Sequence, residues 1–245
     1  WRDIIAGRRL FDHLADALCP NFGYYEIGSK LRYWIIRELV DEEKNPGQTI
    51  KDLFESKQLI RERLRYIPLW LAHMPNVKRL SITIKPQYYK HYRRLNPLFE
   101  IKSLKSLVIT FTKDLSVYLD HLQPNISSCF LKRLAIFDTI IFELPVFVYE
   151  IITLEELVFF DCEMQFIRRD IGNLVNLKEL ILRGNRLTYL PPTIEKLKKL
   201  EKLEIDDCNM LELPPEIGEL ENLKHLGIDM DTLAIIPREI MKLKK

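Results

Sequence analysis

Residues 177–190 read LKELILRGNRLTYL, and 23 residues further on residues 200–213 read LEKLEIDDCNMLEL. Leucine or isoleucine holds the first, fourth and sixth places of both stretches, Asn185 or Cys208 the ninth, and Leu187 or Met210 the eleventh. Places four and six have the spacing of a strand with one face turned inward, since alternate side chains share a side. A single strand has no reason to recur at a fixed interval. A supersecondary unit that is stacked on copies of itself does.

The unit extends in both directions. Leu154, Leu157, Phe159, Cys162 and Met164 form the copy before, and Leu223, Leu226, Ile228, Asp231 and Leu233 the copy after. Leu131, Leu134, Ile136, Thr139 and Ile141 keep the same period; Leu104, Leu107, Ile109 and Thr112 fit after 27 residues, and Val77, Leu80 and Ile82 after another 27. The second half of the unit is shared too, as Leu190-Pro-Pro-Thr-Ile194, Leu213-Pro-Pro-Glu-Ile217 and Ile236-Pro-Arg-Glu-Ile240. Ile67-Pro-Leu-Trp-Leu71 carries it back to a degenerate first copy. About eight units therefore start near residues 54, 77, 104, 131, 154, 177, 200 and 223.

This LxxLxLxx(N/C)xL pattern resembles the leucine-rich repeat family over roughly residues 54–245. The LPxxIxxLxxL half-unit is similar to the intracellular 23-residue class of Ras-scaffold and plant Ras-group-related repeat proteins. The resemblance implies an α/β solenoid: a parallel concave β-sheet, a helical or 3-10 convex side, and one continuous core shared by neighbouring units. The ninth-place residues Thr112, Thr139, Cys162, Asn185, Cys208 and Asp231 are expected to point inward and satisfy turn backbone groups. Cys162 and Cys208 are then buried, inert thiols rather than nucleophiles, and Cys129 is expected to be buried as well.

Residues 1–53 carry a different pattern. Leu10, Phe11, Leu14 and Leu18 have helical spacing, as do Leu31, Trp34, Ile35 and Leu39 behind a candidate N-cap at Ser29. They predict an α-helical N-terminal cap, which a solenoid needs to cover its first unit. The residues Tyr25-Glu26-Ile27, Leu31, Trp34, Ile35, Glu38, Thr49 and Asp52 are also similar to the winged-helix segment before the repeats of plant nucleotide-binding immune receptors. The Met-His-Asp motif of those receptors and a GxxxxGK[ST] loop are absent from this sequence.

Composition limits the function classes. With 245 residues, 47% of them hydrophobic, the chain can bury a sizeable core. No apolar run reaches the length of a spanning helix, and the charged N-terminus does not read as a signal peptide. Four dispersed cysteines without CxxC predict no disulfide framework and a reducing compartment, cytoplasmic or nuclear. A start at Trp1 and an end at MKLKK suggest part of a longer polypeptide. Residues 1–125 hold 21 basic and 14 acidic side chains, and residues 126–245 hold 16 and 21, so an elongated chain has a basic and an acidic end. Five histidines without HExxH or an i, i+4 pair offer no local zinc motif, and GxSxG is missing. No cofactor, metal or catalytic residue is expected.

Function is expected on the concave face, where places 3, 5, 7 and 8 of each unit point outward. The middle units put Val108, Phe111, Phe137, Val158, Phe160 and Ile181 there, an apolar patch of the kind that marks binding sites. Arg79, Asp161 and Arg183 join them, and the last units turn acidic with Glu204, Asp206, Asp207 and Asp229. The expected partner is a protein or peptide with an apolar anchor and a basic flank, bound by a non-catalytic scaffold or adaptor. A one-residue slip in the 27-residue units would send Phe111 into the core, and Phe137 and Phe160 would then pack under neighbouring segments. Two further readings stand beside this one: a sensor region of a larger signalling protein such as an immune receptor, and an RNA or ribonucleoprotein factor. The latter would use Lys85, Lys90, Arg93 and Arg94 in the basic, aromatic stretch 85–94.

Overall fold

The structure, a computed structural model, describes residues 58–64, 77–84, 95–111, 119 and 122–243. The N-terminal cap expected over 1–53, the start of the first unit near 54, Cys19 and Thr112 lie outside the described residues.

Among the described residues eight strands form one parallel sheet in chain order: β1 (Gln58–Leu64), β2 (Arg79–Ile84), β3 (Ser106–Phe111), β4 (Arg133–Phe137), β5 (Glu156–Phe160), β6 (Glu179–Ile181), β7 (Lys202–Glu204) and β8 (His225–Gly227). Pairing follows the repeat. Leu80, Leu107, Leu134, Leu157, Leu180, Leu203 and Leu226 lie in one row of Cα partners across β2 to β8. Leu80 to Leu203 of that row and the row of Ile82, Ile109, Ile136, Phe159, Leu182 and Ile205 are buried nearly completely, while Leu226 at the end is half-buried. Each strand alone exposes half its apolar surface, so burial comes from the stack of coils.

The strands end in two ways, and the difference decides which way the eighth residue of each unit points. Asp138, Asp161, Gly184 and Asp207 hold this place in four successive units, with φ of 55°, 52°, 70° and 52°. Asp and Gly are among the residues that enter this left-handed region most readily. The chain leaves the pleat there and turns inward at the ninth residue. In β3 no such turn occurs at the eighth place: the strand continues through Phe111 with strict alternation of half-buried and buried residues. Phe111 follows Leu107 and Ile109 into the core and is 1% exposed. The expectation that it lies on the concave face is thus corrected, and no slip is involved, because Phe111 pairs in register with Ile84.

The ninth-place residues seal the turns. Asn185 donates from Nδ2 to the carbonyls of Phe159 at 2.8 Å and Leu182 at 2.6 Å, and its Oδ1 accepts from the Met164 N–H at 3.0 Å. Cys208 Sγ lies 3.2 Å from the Leu182 carbonyl, and Cys162 Sγ 3.3 Å from that of Phe160. Burial pushes the Cys162 thiol up to about 12 and the Cys208 thiol up to about 11. Thr139 and Cys129 are buried as well, whereas Asp231 is exposed.

On the convex side the chain forms 3-10 segments at Val146–Glu150, Arg169–Asn173, Pro192–Lys196, Pro215–Glu219 and Arg238–Lys242. Pro145, Pro191, Pro214 and Pro237 stand just before four of them with φ between −57° and −70°, the value their rings impose. The segments stack closely: a Cβ on Gly218 would lie 2.4 Å from the Glu239 carbonyl oxygen. Where the chain returns to the strands, Thr153 Oγ1, Asn176 Nδ2 and Asn222 Nδ2 donate to the carbonyls of Leu131, Ile152 and Lys198 in the preceding coil.

Candidate partner-binding face

The register arranges the outward side chains in three rows across the sheet. Arg79, Ser106, Arg133, Glu156, Glu179, Lys202 and His225 form the third-place row, and Ser81, Val108, Ala135, Val158, Ile181, Glu204 and Gly227 the fifth-place row. In the seventh-place row Thr83, Thr110, Phe137 and Phe160 are followed along the repeat by Arg183, Asp206 and Asp229. The sheet thus gathers residues that are more than a hundred positions apart in sequence.

At its centre Phe137 and Phe160 are Cα partners whose ring centroids lie 6.2 Å apart, tilted by 42°. Both are half-buried, as are Val108 and Ile181. Beside them Arg133 Nε contacts Glu156 Oε1 at 2.7 Å. Val158 sits between the aromatic pair and this ion pair and is only 4% exposed. It forms the floor of the patch together with buried Ala135, so its expected role as a contact residue is corrected: large neighbours two residues away on the same face roof it over.

The acidic end is laced with internal pairs. Arg183 Nε lies 2.8 Å from Asp207 Oδ2 and 3.0 Å from Asp206 Oδ2. The hydrogen bond Arg183 donates to Asp207, and the nearby Asp206 carboxylate, raise the pKa of the Arg183 guanidinium. Glu204 Oε1 meets Lys202 Nζ at 2.8 Å and His225 Nε2 at 3.5 Å, and Asp229 Oδ2 accepts from the Asp207 N–H at 2.6 Å. Asp161 has contacts within the fold, and its Oδ1 lies where a Cβ on Gly184 would be, 1.9 Å away. Arg79 is exposed at the opposite end, and among the described residues no carboxylate pairs with it. Lys85, Lys90, Arg93 and Arg94 lie outside the described residues.

Two features escaped the reading of the sequence. The second place of each unit runs Lys132, Glu155, Lys178, Glu201, Lys224, and these side chains pair along the rim of the sheet. Glu155 takes Lys132 at 2.5 Å and Lys178 at 2.8 Å, and Lys224 takes Glu201 at 2.6 Å. Hydrogen bonds from Lys132 and then Lys178 hold Glu155 at about 2. The alternation of sign at the repeat period was its signal. On the flank beyond the ninth place, Phe142 (53% exposed) meets Phe166 edge-on with centroids 5.0 Å apart, near exposed Tyr189 and Leu211. Apolar residues at places 12 and 13 signalled that strip. Among the described residues no group of His, Cys, Asp and Glu is placed to hold a metal ion, and no helix is long and apolar enough to cross a membrane.

Comparison with known proteins agrees with this architecture. Residues 151–245 match the family described as "Leucine-rich repeat region". Residues 151–245 thus match the leucine-rich repeat family, and the same repeat and parallel sheet continue through the other described residues. Among solved structures it is similar to a leucine-rich repeat protein of Leptospira interrogans, at 25% identity and a TM-score of 0.59 over 74% of this chain. The chain spans 44% of that protein's length. The leucine-rich repeat domain of the type III effector XopL matches over 99% of this chain and 92% of its own at 18% identity and a TM-score of 0.52. InlP of Listeria monocytogenes matches over 85% of this chain and 66% of its own at 19% identity and a TM-score of 0.54. These last two likenesses show the fold alone. No curated protein sequence matches the chain.

Proposed function

We propose that the protein is a non-catalytic interaction module, a scaffold or adaptor that binds a protein or peptide through its concave face. The observation that carries this reading is the half-exposed Phe137 and Phe160 pair at the middle of the sheet. Aromatic side chains that are held rigid by backbone pairing and left accessible lose little entropy on binding and bury much area, which is why they recur as binding hot spots. A partner with an apolar anchor and a basic flank suits the acidic residues beyond them. The 23-residue spacing and the Leu-Pro-Pro openings support the intracellular class of repeat, and free Cys129, Cys162 and Cys208 suit a cytoplasmic or nuclear, reducing setting.

The test is affinity capture with the full chain, followed by titration of each captured partner against Phe160→Ala and Asp206→Lys variants. Weakening by Phe160→Ala of about thirtyfold or more supports the reading, since hot-spot truncations cost at least about 2 kcal/mol. A cognate partner whose affinity neither substitution changes would remove the concave face from the account.

A further inference from the structure

The charges on the concave face are graded along the solenoid axis. Across β2 and β3 the outward residues are Ser81, Thr83, Ser106, Thr110 and Val108, all neutral, and the one formal charge there is exposed Arg79. Across β6 to β8 the face carries the carboxylates Glu179, Glu204, Asp206, Asp207 and Asp229. Only Arg183 and Lys202 oppose them, so with His225 neutral the five carboxylates leave a net charge of −3 after every internal pair is counted. The apolar pair lies between. Asp138 and Asp161 flank it at the turn, and both already have contacts within the fold.

The apolar floor is two rows wide. Fifth-place and seventh-place side chains stand about 7 Å apart along a strand, whereas a helix with its side chains is about 10–12 Å across. An extended chain fits this width. Adjacent strands are spaced at roughly 4.8 Å, so the acidic residues around β7 lie about 12 Å from the middle of the aromatic pair, while Arg79, as many strands away on β2 and four residues earlier along its strand, lies about 18 Å from it. At about 3.3 Å per residue, those distances are about three to four residues of extended chain on the acidic side and about five to six on the Arg79 side.

We infer that the occupant of this face is an extended peptide segment running across the strands, with an acidic residue over Arg79, an apolar anchor on Phe137 and Phe160, and basic residues over β6 to β8. The inference rests on the concave-face reading above and adds the order and spacing of the ligand's charges. An acidic residue about five to six places to one side of the anchor, with basic residues about three to four places to its other side, is the defining pattern. Reversing the two charges turns attraction into repulsion at both ends.

The experiment selects peptides from a phage-displayed library of random linear sequences on the immobilised full chain, at low salt. The enriched sequence is synthesised, together with a version in which its acidic and basic residues are exchanged. Enrichment of the acidic, apolar, basic order is expected, with about tenfold weaker binding of the exchanged peptide, the sum of two exposed charge contacts made unfavourable. Arg79→Glu, on an exposed side chain, is expected to narrow that gap, and salt to erase it. If the exchanged peptide binds equally well while Phe160→Ala abolishes both, the charge order is wrong and the concave site stands. If Phe160→Ala leaves binding intact, with the variant folded by circular dichroism, the concave-face reading itself fails. Selection that enriches no peptide refutes the extended segment.

Discussion

Replacing Asn185 by alanine should be among the most damaging single substitutions in the protein. Its side chain is 4% exposed, donates to the carbonyls of Phe159 and Leu182, and accepts from the Met164 N–H. The Leu182 carbonyl would keep Cys208 Sγ at 3.2 Å. The Met164 N–H and the Phe159 carbonyl would lose their side-chain partner in a place with little access to water. Each buried group left unsatisfied costs about 1–3 kcal/mol, which gives a loss of about 2–6 kcal/mol. That is a large share of the 5–15 kcal/mol typical of a folded domain. Cysteine, which fills the same place in the coils on either side, should cost clearly less, because a thiol can still reach one carbonyl. The assay is urea denaturation of wild type, Asn185→Ala and Asn185→Cys, with hydrogen exchange at the Met164 amide to localise the effect. An alanine variant within about 1 kcal/mol of wild type, or a cysteine variant as unstable as the alanine one, would refute the reasoning.

Three further outcomes are expected. Gly184→Ala should destabilise by more than the roughly 1–2 kcal/mol of a left-handed residue with a side chain, because its Cβ meets Asp161 Oδ1 at 1.9 Å; Asp161→Ala in the same chain should recover part of the loss in thermal unfolding. Cys162 and Cys208, whose thiols burial holds at about 12 and about 11, should resist iodoacetamide at pH 8 until denaturant opens the coils; mass spectrometry showing prompt labelling of the folded protein would contradict their placement. Glu155 is held at about 2 in the folded state, below its unfolded value of about 4.3. Its contribution to stability is therefore present above that value and lost as pH falls through about 2. Glu155→Gln should be less stable than wild type at neutral pH, by well under about 1 kcal/mol for so exposed a cluster, with the gap closing in acid and in high salt; a gap that is constant with pH would remove the Lys132 and Lys178 pairing as its cause.

The strand rows could be read directly from the sequence because leucine at the first, fourth and sixth places leaves no other inward set. Once Leu134 and Ile136 are core, Arg133 and Phe137 must face out, and register then carries the same facing to Glu156 and Phe160. The eighth place could not be read from periodicity alone, since its direction depends on whether the backbone there is left-handed or extended. Asp138 and Phe111 occupy equivalent places and point opposite ways for that reason. The side-chain types were the available clue: three aspartates and a glycine suit a left-handed φ, and phenylalanine does not. Val158 was misjudged because facing outward is not the same as being accessible. Its burial comes from Phe137, Phe160 and the pair of Arg133 with Glu156, which meet only when β4 and β5 are side by side. The acidic strip was legible as composition, while its pairing with Arg183 and Lys202 depended on neighbours about 23 residues away or across the pleat.

The central claim is that partners engage the aromatic pair on the concave sheet. Its most direct measurement is the affinity of a captured cognate partner for wild type and for a Phe137→Ala, Phe160→Ala double variant, compared with Phe142→Ala on the exposed flank as a control. The account predicts a loss of about a hundredfold or more for the double variant and no change for the flank variant. Binding that survives loss of both rings, or that falls only with Phe142, would contradict it.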